Sequence, residues 1–267
     1  MTPPTRPGVL PRRPVEAECR LCLQHGKLSY EHIPPRAAGN RNGERWERFD
    51  LDTWLEHGSP FEPPQHGIKI EQKGAGGHVY CRECNSLLGS KYVREYVEWA
   101  TKLGQALLEH PSSRQMWLQL KLDDVRPGAF ARQVAAMLLP MCGEGHARKD
   151  PALADAIRGE SRVPTTRLFV ALYRGPLVRH VGVSGTLHKR EDGGFQHLVS
   201  AEVAFPPFAV TAVLSGEPQN DELGVEITSW LDVPADEPYE VQLTAPVGEG
   251  RTPYPGDFRT ASEFGDG

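Results

Sequence analysis

The sequences C-R-L-C at residues 19–22 and C-R-E-C at residues 81–84 decide the fold of this chain, because each presents two thiols three residues apart. Four thiolates in two such pairs suit a tetrahedral zinc ion, and a structural zinc site has all four positions filled by protein. A disulfide pair or a redox-active pair is the alternative, but no apolar N-terminal segment indicates secretion. The spacing predicts a structural Zn²⁺ held by Cys19, Cys22, Cys81 and Cys84.

The long loop between the two pairs carries Glu31-His32-Ile33-Pro34-Pro35, and Asn85 directly follows the last cysteine. A histidine with a pKa near neutrality can take a proton from water as a general base. Carboxylate and amide oxygens can hold a hard divalent cation, which neutralises charge on the leaving oxygen of a phosphodiester. One zinc framework therefore presents three side chains that are useful for metal-assisted hydrolysis.

The order of these motifs resembles the HNH (His-Me finger, ββα-metal) endonuclease family, with an endonuclease VII-like arrangement. A Cys-x-x-Cys knuckle, a Glu-His dipeptide on a hairpin and Cys-x-x-Cys-Asn opening a helix carry the resemblance. Residues 28–35, residues 73–78 and Tyr92 extend it to a group of HNH-like bacterial proteins. The resemblance covers residues 19 to about 100.

The resemblance implies a treble-clef or ββα-metal zinc module. Together with the helices and the C-terminal antiparallel β-rich region that local periodicity predicts after it, we expect an α+β fold. The resemblance also implies hydrolysis of DNA phosphodiester bonds, with DNA preferred over RNA, and it is compatible with a role in defence against foreign DNA. His32 would be the general base, and Glu31 and Asn85 would hold a catalytic Mg²⁺ or Mn²⁺. Lys91, early in the helix, would face a backbone phosphate.

Each of these side chains also has a structural interpretation. Asn85 could cap a helix, since asparagine is among the best N-cap residues. His32 could be a hydrogen-bonded structural histidine, and Glu31 could be a surface carboxylate. Successive side chains on a strand point to opposite faces, so Glu31 and His32 can serve one site only if the hairpin is twisted or bulged there.

One departure from the family pattern supports a second function. HNH sites carry a middle asparagine that orients the histidine, and residues 74–80 contain none. His78 or a backbone carbonyl could supply the acceptor that the imidazole N–H needs. The alternative is a catalytically inactive zinc module that binds nucleic acid or a protein partner. The glycines of this stretch could equally form a flexible hairpin tip.

Length, charge and hydropathy indicate where the protein works and what it can bind. The chain has 267 residues and a formal net charge of -5, and no apolar run approaches the roughly 20 residues that span a bilayer. We expect a cytoplasmic protein without a membrane partner. The part through residue 105 is less acidic than the remainder, which permits phosphate binding by Arg36 and Lys91, although scattered surface charge explains them equally.

Composition and apolar periodicity divide the chain into four segments. Residues 1–18 resemble a flexible tail, and residues 19–110 form the zinc module with a loop-rich insertion at 37–72. A helical connector follows at 111–160, and residues 161–267 are β-rich. The last region would serve as a scaffold or could bind a protein partner.

Local periodicity predicts the elements within these segments. Apolar residues recurring every three or four positions favour a long helix over 86–109 and a second helix over 130–141. Asp150-Pro151 is typical of an N-cap followed by a first helical proline, which predicts a short helix to Arg158. Apolar runs separated by turn residues predict five or six antiparallel strands at 168–173, 178–187, 198–205, 208–214, 225–230 and 239–243.

Overall fold

The computed structural model describes residues 10–11, 14–41, 47–48, 69–70, 74–110, 116–160, 162–175, 177–189, 194–218 and 223–248. The strands are β1 (Glu16–Glu18), β2 (His25–His32), β3 (Glu47–Arg48), β4 (Lys69–Ile70), β5 (Gly76–Cys81), β6 (Met116–Val125), β7 (Arg167–Tyr173), β8 (Leu177–Lys189), β9 (Phe195–Phe205), β10 (Phe208–Ser215), β11 (Val225–Glu226) and β12 (Tyr239–Gly248). The α-helices are α1 (Arg82–Lys91), α2 (Val93–Glu109), α3 (Pro127–Leu138), α4 (His146–Lys149) and α5 (Pro151–Arg158), and 3-10 helices span Arg36–Ala38 and Thr228–Asp232. The predicted α+β class is confirmed.

The cysteine-bearing part is a three-stranded antiparallel sheet, in the order β1–β2–β5, with α1 leading directly out of β5. Leu28 of β2 pairs with Cys81 of β5, which sets the register. The register then shifts between Ser29 and Tyr30, where β5 inserts one extra residue. This bulge lies just before the Glu31-His32 pair.

Part of the predicted N-terminal tail is ordered against this sheet. Leu10 is buried, and β1 pairs with β2 from Glu16 to Glu18. The partly buried side chains of Val15 and Ala17 pack on the core. The tail has too few apolar residues for a recognisable period, so the prediction for residues 10–18 was wrong; residues 1–9 and 12–13 lie outside the described ranges.

The single long helix predicted over 86–109 is two helices that meet at Tyr92. The first begins earlier than predicted, because the sulfur of Cys81 accepts a hydrogen bond from the Cys84 N–H and caps it. Tyr92 is buried, and its hydroxyl donates to the carbonyl of Ile157 in α5. This tertiary contact anchors the break, whereas the apolar period runs through it.

The predicted helical connector opens with a strand, β6, in which buried Leu118 and Leu122 alternate with exposed neighbours. Its period of two and its pairing with β12 explain the difference from the prediction. Helices α3 and α5 lie where helices were predicted. Asp150 accepts a hydrogen bond from the Leu153 N–H and Pro151 opens α5, so the predicted cap is confirmed.

The C-terminal strands belong to a nine-stranded sheet of order β4–β3–β8–β9–β10–β7–β12–β6, with β11 paired to β7. It is mostly antiparallel, but β3 pairs parallel with β8 and β12 pairs parallel with β7. The predicted strand over 225–230 ends at Glu226 and gives way to a 3-10 helix. Two insertion strands join the sheet edge, while most of the insertion lies outside the described ranges.

One core joins the cysteine-bearing part to the large sheet. All twelve residues of α3 are buried between them. The ring of Phe130 lies 4.3 Å from Trp99, 5.3 Å from Phe208 and 6.3 Å from Trp230, measured between centroids. The same buried cluster extends from Leu10 to Ala245 and crosses the boundaries predicted near 110 and 160. No helix in the described part of the chain has the length and apolarity needed to cross a membrane.

We expect Phe130→Ala to lower the free energy of unfolding by about 3–5 kcal/mol, because it leaves a cavity among stacked rings. Since the core is shared, chemical denaturation followed by circular dichroism and release of bound zinc should shift to the same lower midpoint. Phe195→Ala, at an exposed position, is the matched control and should change stability by less than about 0.5 kcal/mol. Zinc release that keeps its wild-type midpoint in Phe130→Ala would contradict the shared core.

Candidate metal centre

The four predicted cysteines converge. Their sulfur atoms all lie within 4.8 Å of one another, and the sulfurs of Cys22 and Cys81 are 3.8 Å apart. Zn–S bonds of about 2.3 Å at tetrahedral angles place sulfur atoms about 3.8 Å apart. The donor set and its spacing therefore fit a metal ion such as zinc.

Each pair is positioned by a different element. Cys19 and Cys22 lie in the turn between β1 and β2, which is closed by hydrogen bonds from Cys19 N–H to Gln24 O and from Leu23 N–H to Cys19 O, both 2.9 Å. Cys81 ends β5 and Cys84 lies in the first turn of α1. The two elements meet because Arg20 N–H donates to Val79 O at 3.0 Å.

The cluster concentrates negative charge on one sulfur. The Cys84 thiol donates to Cys19, and with the N–H groups of Cys22 and Cys81 it lowers the pKa of Cys19 to about 4. The same sharing raises the pKa of Cys84. A bound divalent cation would favour the thiolate at every position and release the remaining protons.

Cys142 is outside the cluster. It is buried, and burial raises the pKa of its thiol to about 12. This agrees with the apolar role expected for the unpaired cysteine.

Glu31 is buried, with 8% of its surface exposed, so it is not the surface carboxylate of the alternative interpretation. Burial raises the pKa of Glu31 to about 8. Across the described residues its carboxylate has no hydrogen-bond or ion-pair partner. A carboxylate held in this way favours either a proton or a cation.

Asn85 does not cap α1, since the helix begins at Arg82 and Cys81 is its N-cap. Its amide nitrogen instead donates to Ser29 Oγ at 3.0 Å and to Tyr30 O at 3.1 Å. Side chains of Ser29 and Glu31 project from the same face of β2, because strand side chains alternate. The amide of Asn85 is therefore fixed on the face of β2 that carries Glu31.

His32 lies at the end of β2 with Tyr30, and their ring centroids are 5.0 Å apart in an edge-to-face contact. Alternation along β2 places both rings on the face opposite Glu31. The structure thus brings Glu31 and Asn85 to one face, and it leaves the adjacent His32 at the strand terminus on the other. The hairpin does carry a bulge, but it lies on β5 opposite Ser29 and Tyr30 and not at Glu31 and His32.

His78 was one candidate for orienting His32, the other being a backbone carbonyl. Its ring contacts Tyr30 at 5.3 Å, and its Nδ1 lies 3.2 Å from Pro11 O. It makes no hydrogen bond to His32 within the described ranges. His78 therefore packs against the ring that His32 also contacts.

Asn40 is a site residue that the sequence analysis missed. It is fully buried, its amide nitrogen donates to Pro34 O and Ala75 O, and its oxygen accepts from Ala75 N–H, all at 2.7 Å. It thereby joins the loop after His32 to the residue before β5. It comes from the insertion, where no periodic pattern marks it.

The glycines around the start of β5 are packed closely and do not form an open tip. A Cβ at Gly74, whose φ is +80°, would lie 2.7 Å from the oxygens of Asn40 and 3.1 Å from His32 Cδ2. A Cβ at Gly76 would lie 2.0 Å from the carbonyl oxygen of Glu31. Close approach of backbone to the site therefore requires glycine at both positions.

The large sheet also contacts this loop. His180 of β8 is buried, and its Nε2 lies 2.7 Å from the carbonyl oxygen of Ile33. The C-terminal region therefore fixes the backbone directly after His32, a contact that no local pattern predicts.

Both predicted phosphate-binding residues are exposed. Arg36 is exposed in the first 3-10 helix. Lys91 is exposed at the end of α1, about 9 Å along the helix from Asn85 at 1.5 Å per residue.

Comparison with known proteins gives no match: neither a protein-family model, nor a curated protein, nor a solved structure matches this chain.

We expect the purified protein to carry about one zinc ion per chain, since a structural zinc is four-coordinate and one four-cysteine cluster is present. Cys84→Ser should lose most of that zinc, and Cys142→Ser should retain it because Cys142 is outside the cluster. Elemental analysis after gel filtration measures both. Equal zinc in wild type and Cys84→Ser would contradict the assignment.

The raised pKa of Glu31 predicts a pH-dependent loss of stability. The folded carboxyl keeps its proton up to a pKa of about 8, whereas the unfolded one loses it near the usual 4.5. Between these values the folded state binds more protons, so stability falls by up to about 1.4 kcal/mol per pH unit and levels off above pH 8. Glu31→Gln should remove this slope.

Denaturation of the zinc-loaded protein from pH 6 to 9, without added Mg²⁺ or Mn²⁺, measures the effect. Glu160→Gln is the matched control, since Glu160 is exposed, and it should keep the wild-type slope. Identical slopes for wild type and Glu31→Gln would show that the Glu31 carboxyl titrates normally.

Proposed function

We propose that this chain is an HNH-like endonuclease that hydrolyses DNA phosphodiester bonds with Mg²⁺ or Mn²⁺. Glu31 and Asn85 hold the divalent ion, and His32 is the general base. The observation that carries the proposal is the buried carboxylate of Glu31, which has no partner in the described structure and lies on the strand face to which Asn85 is fixed.

A divalent ion is the ligand that best fits this carboxylate. A buried ionised carboxylate without a partner is costly, and the group otherwise stays protonated. Asn85 uses its amide nitrogen to bind β2, so its oxygen is the atom left to face a ligand. Two hard oxygens on one face suit Mg²⁺ or Mn²⁺, which keep several coordination positions for water and phosphate.

In this proposal the His32 imidazole reaches the attacking water around the end of β2, where the strand stops. As a base it would take a proton from the attacking water while the new P–O bond forms and the ester P–O bond breaks. A bound divalent ion would supply charge neutralisation at the leaving oxygen. Asn40 and His180 hold the backbone on the C-terminal side of His32, which favours a fixed position for the imidazole.

The arrangement of the cysteines supports the predicted treble-clef or ββα-metal module. A knuckle at Cys19 and Cys22, the paired strands β2 and β5, and a helix with Cys84 in its first turn follow the order of a treble-clef or ββα-metal module. A tetrahedral zinc there is structural, because four sulfurs leave it no open position. The catalytic ion is a second, separate ion.

A second candidate is a non-catalytic zinc module that binds nucleic acid or a protein partner. The contact between His32 and Tyr30 favours it, since this contact places the imidazole on the strand face opposite Glu31. The two candidates differ in whether His32 is required for cleavage.

Purified zinc-loaded protein should nick supercoiled DNA only when Mg²⁺ or Mn²⁺ is added. His32→Ala should reduce the rate by about a hundred- to ten-thousand-fold, the usual contribution of a positioned base. Glu31→Gln should abolish the dependence on the divalent ion together with the activity.

His25→Ala is the matched control, because His25 lies exposed at the start of the same strand, and it should keep wild-type activity. Zinc content and circular dichroism confirm that each variant is folded. No cleavage of supercoiled, linear or single-stranded DNA, or of RNA, by the wild type would favour the binding module.

A further inference from the structure

A cleft lies where α1 meets α2, away from Glu31. Its volume is about 650 Å³. Four cationic side chains line it, together with two carboxylates. The cations are Lys91, Arg94, Arg126 and Arg132, and the carboxylates are Glu95 and Asp236.

Arg132 contributes a buried positive charge to this cleft, with 3% of its surface exposed. Its guanidinium donates to four carbonyl oxygens: Ala156 at 3.0 Å, Gly128 at 2.9 Å, and Val233 and Leu231 at 2.7 Å. A guanidinium has five N–H donors, so one is left over. Within the described residues no carboxylate lies within ion-pair distance of Arg132, although the exposed Asp232 interacts with it electrostatically at longer range, and burial lowers the pKa of Arg132.

The carboxylates of the cleft do not neutralise it. Glu95 is buried and engaged, since it accepts from Trp99 Nε1–H at 2.9 Å and from the Arg126 N–H at 2.6 Å. Arg126 also lies 3.5 Å from its other oxygen. Asp236 is exposed to solvent. The buried floor of the cleft therefore carries the charge of Arg132 without a directly paired anion in the described residues, since Asp232 acts on it only at longer range.

Two exposed cations add to this charge. Lys91 ends α1 and Arg94 lies in the first turn of α2. In the described part of the chain neither forms an ion pair. Of the four cations that line the cleft, Arg126 is paired with Glu95, Arg132 is fixed by four hydrogen bonds, and the other two are able to move onto a ligand.

We infer that this cleft binds a phosphate group. A phosphate oxyanion accepts directional hydrogen bonds from a guanidinium, which Arg132 and Arg94 provide. It also attracts an ammonium group as a point charge, which Lys91 provides. A bound phosphate would also place a negative charge directly beside the buried guanidinium of Arg132. The phosphate belongs either to a nucleic acid backbone or to a free phosphate ester.

This site does not depend on the proposed hydrolysis, because it uses none of Glu31, His32 or Asn85. If the chain does cleave nucleic acid, Lys91 at the cleft lies about 9 Å from Asn85 along α1, which is about the axial rise of two to three base pairs of duplex DNA at 3.4 Å each. A phosphate site at that distance would hold the strand beside the bond that is cut.

The test is titration of zinc-loaded, ¹⁵N-arginine-labelled protein with inorganic phosphate, without added Mg²⁺ or Mn²⁺. The Nε–H resonance of Arg132 should move saturably, and Lys91→Gln/Arg94→Gln should weaken the fitted affinity at least tenfold. Lys27→Gln/Lys149→Gln is the matched control, because it removes two exposed charges outside the cleft, and it should bind as the wild type does. The inference is overturned if the Arg132 resonance does not respond, or if both double variants bind equally.

Two further titrations identify the source of the phosphate, and each is compared with the Lys91→Gln/Arg94→Gln variant. A single-stranded oligonucleotide that displaces inorganic phosphate identifies a backbone phosphate, and the variant should then reduce the slope of log affinity against log salt by about 1.4, at about 0.7 per contact. Displacement by a mononucleotide alone identifies a free ester. Failure of both to displace bound inorganic phosphate would leave an adventitious anion site and overturn the inference.

Discussion

The contact among four sulfur atoms is the constraint on which the rest of the site depends. Cys19 and Cys81 are 62 residues apart in sequence, yet the Cys81 N–H donates to the Cys19 sulfur at 3.3 Å. Closing so long a loop costs conformational entropy, and four thiols in one cluster must share protons unless a cation replaces them. Metal binding at this point would therefore fix the turn before β2 against the start of α1.

That constraint explains how a carboxylate can be buried without a partner. With β2, β5 and α1 held together, Asn85 reaches the backbone of Tyr30, and Glu31 is enclosed on the same face. Asn40 fixes the loop after the strand, and glycine at 76 lets β5 approach the carbonyl of Glu31. A buried carboxyl group without a partner needs rigid surroundings, and here the rigidity comes from backbone contacts and from the large sheet through His180.

The sequence predicts those parts of the fold and the site that depend on residues close together in the chain. The cysteine spacing, the Asp150-Pro151 cap and the runs that became β7 to β10 are of this kind. The rest depends on contacts distant in sequence. The helix break at Tyr92 is held by a hydrogen bond to Ile157, and Asn40 accepts a hydrogen bond from Ala75. The two insertion strands are only two residues long. A short window of sequence therefore contains no pattern that predicts any of these features.

The central claim is that Glu31 and Asn85 bind a divalent ion distinct from the one in the cysteine cluster. Anomalous scattering from a crystal of the zinc-loaded protein grown with Mn²⁺ tests it most directly. The account predicts a manganese peak within about 2.3 Å of the Glu31 carboxylate and of the Asn85 side-chain oxygen, besides a zinc peak among the four sulfurs. Zinc among the sulfurs with no manganese at Glu31 would contradict it.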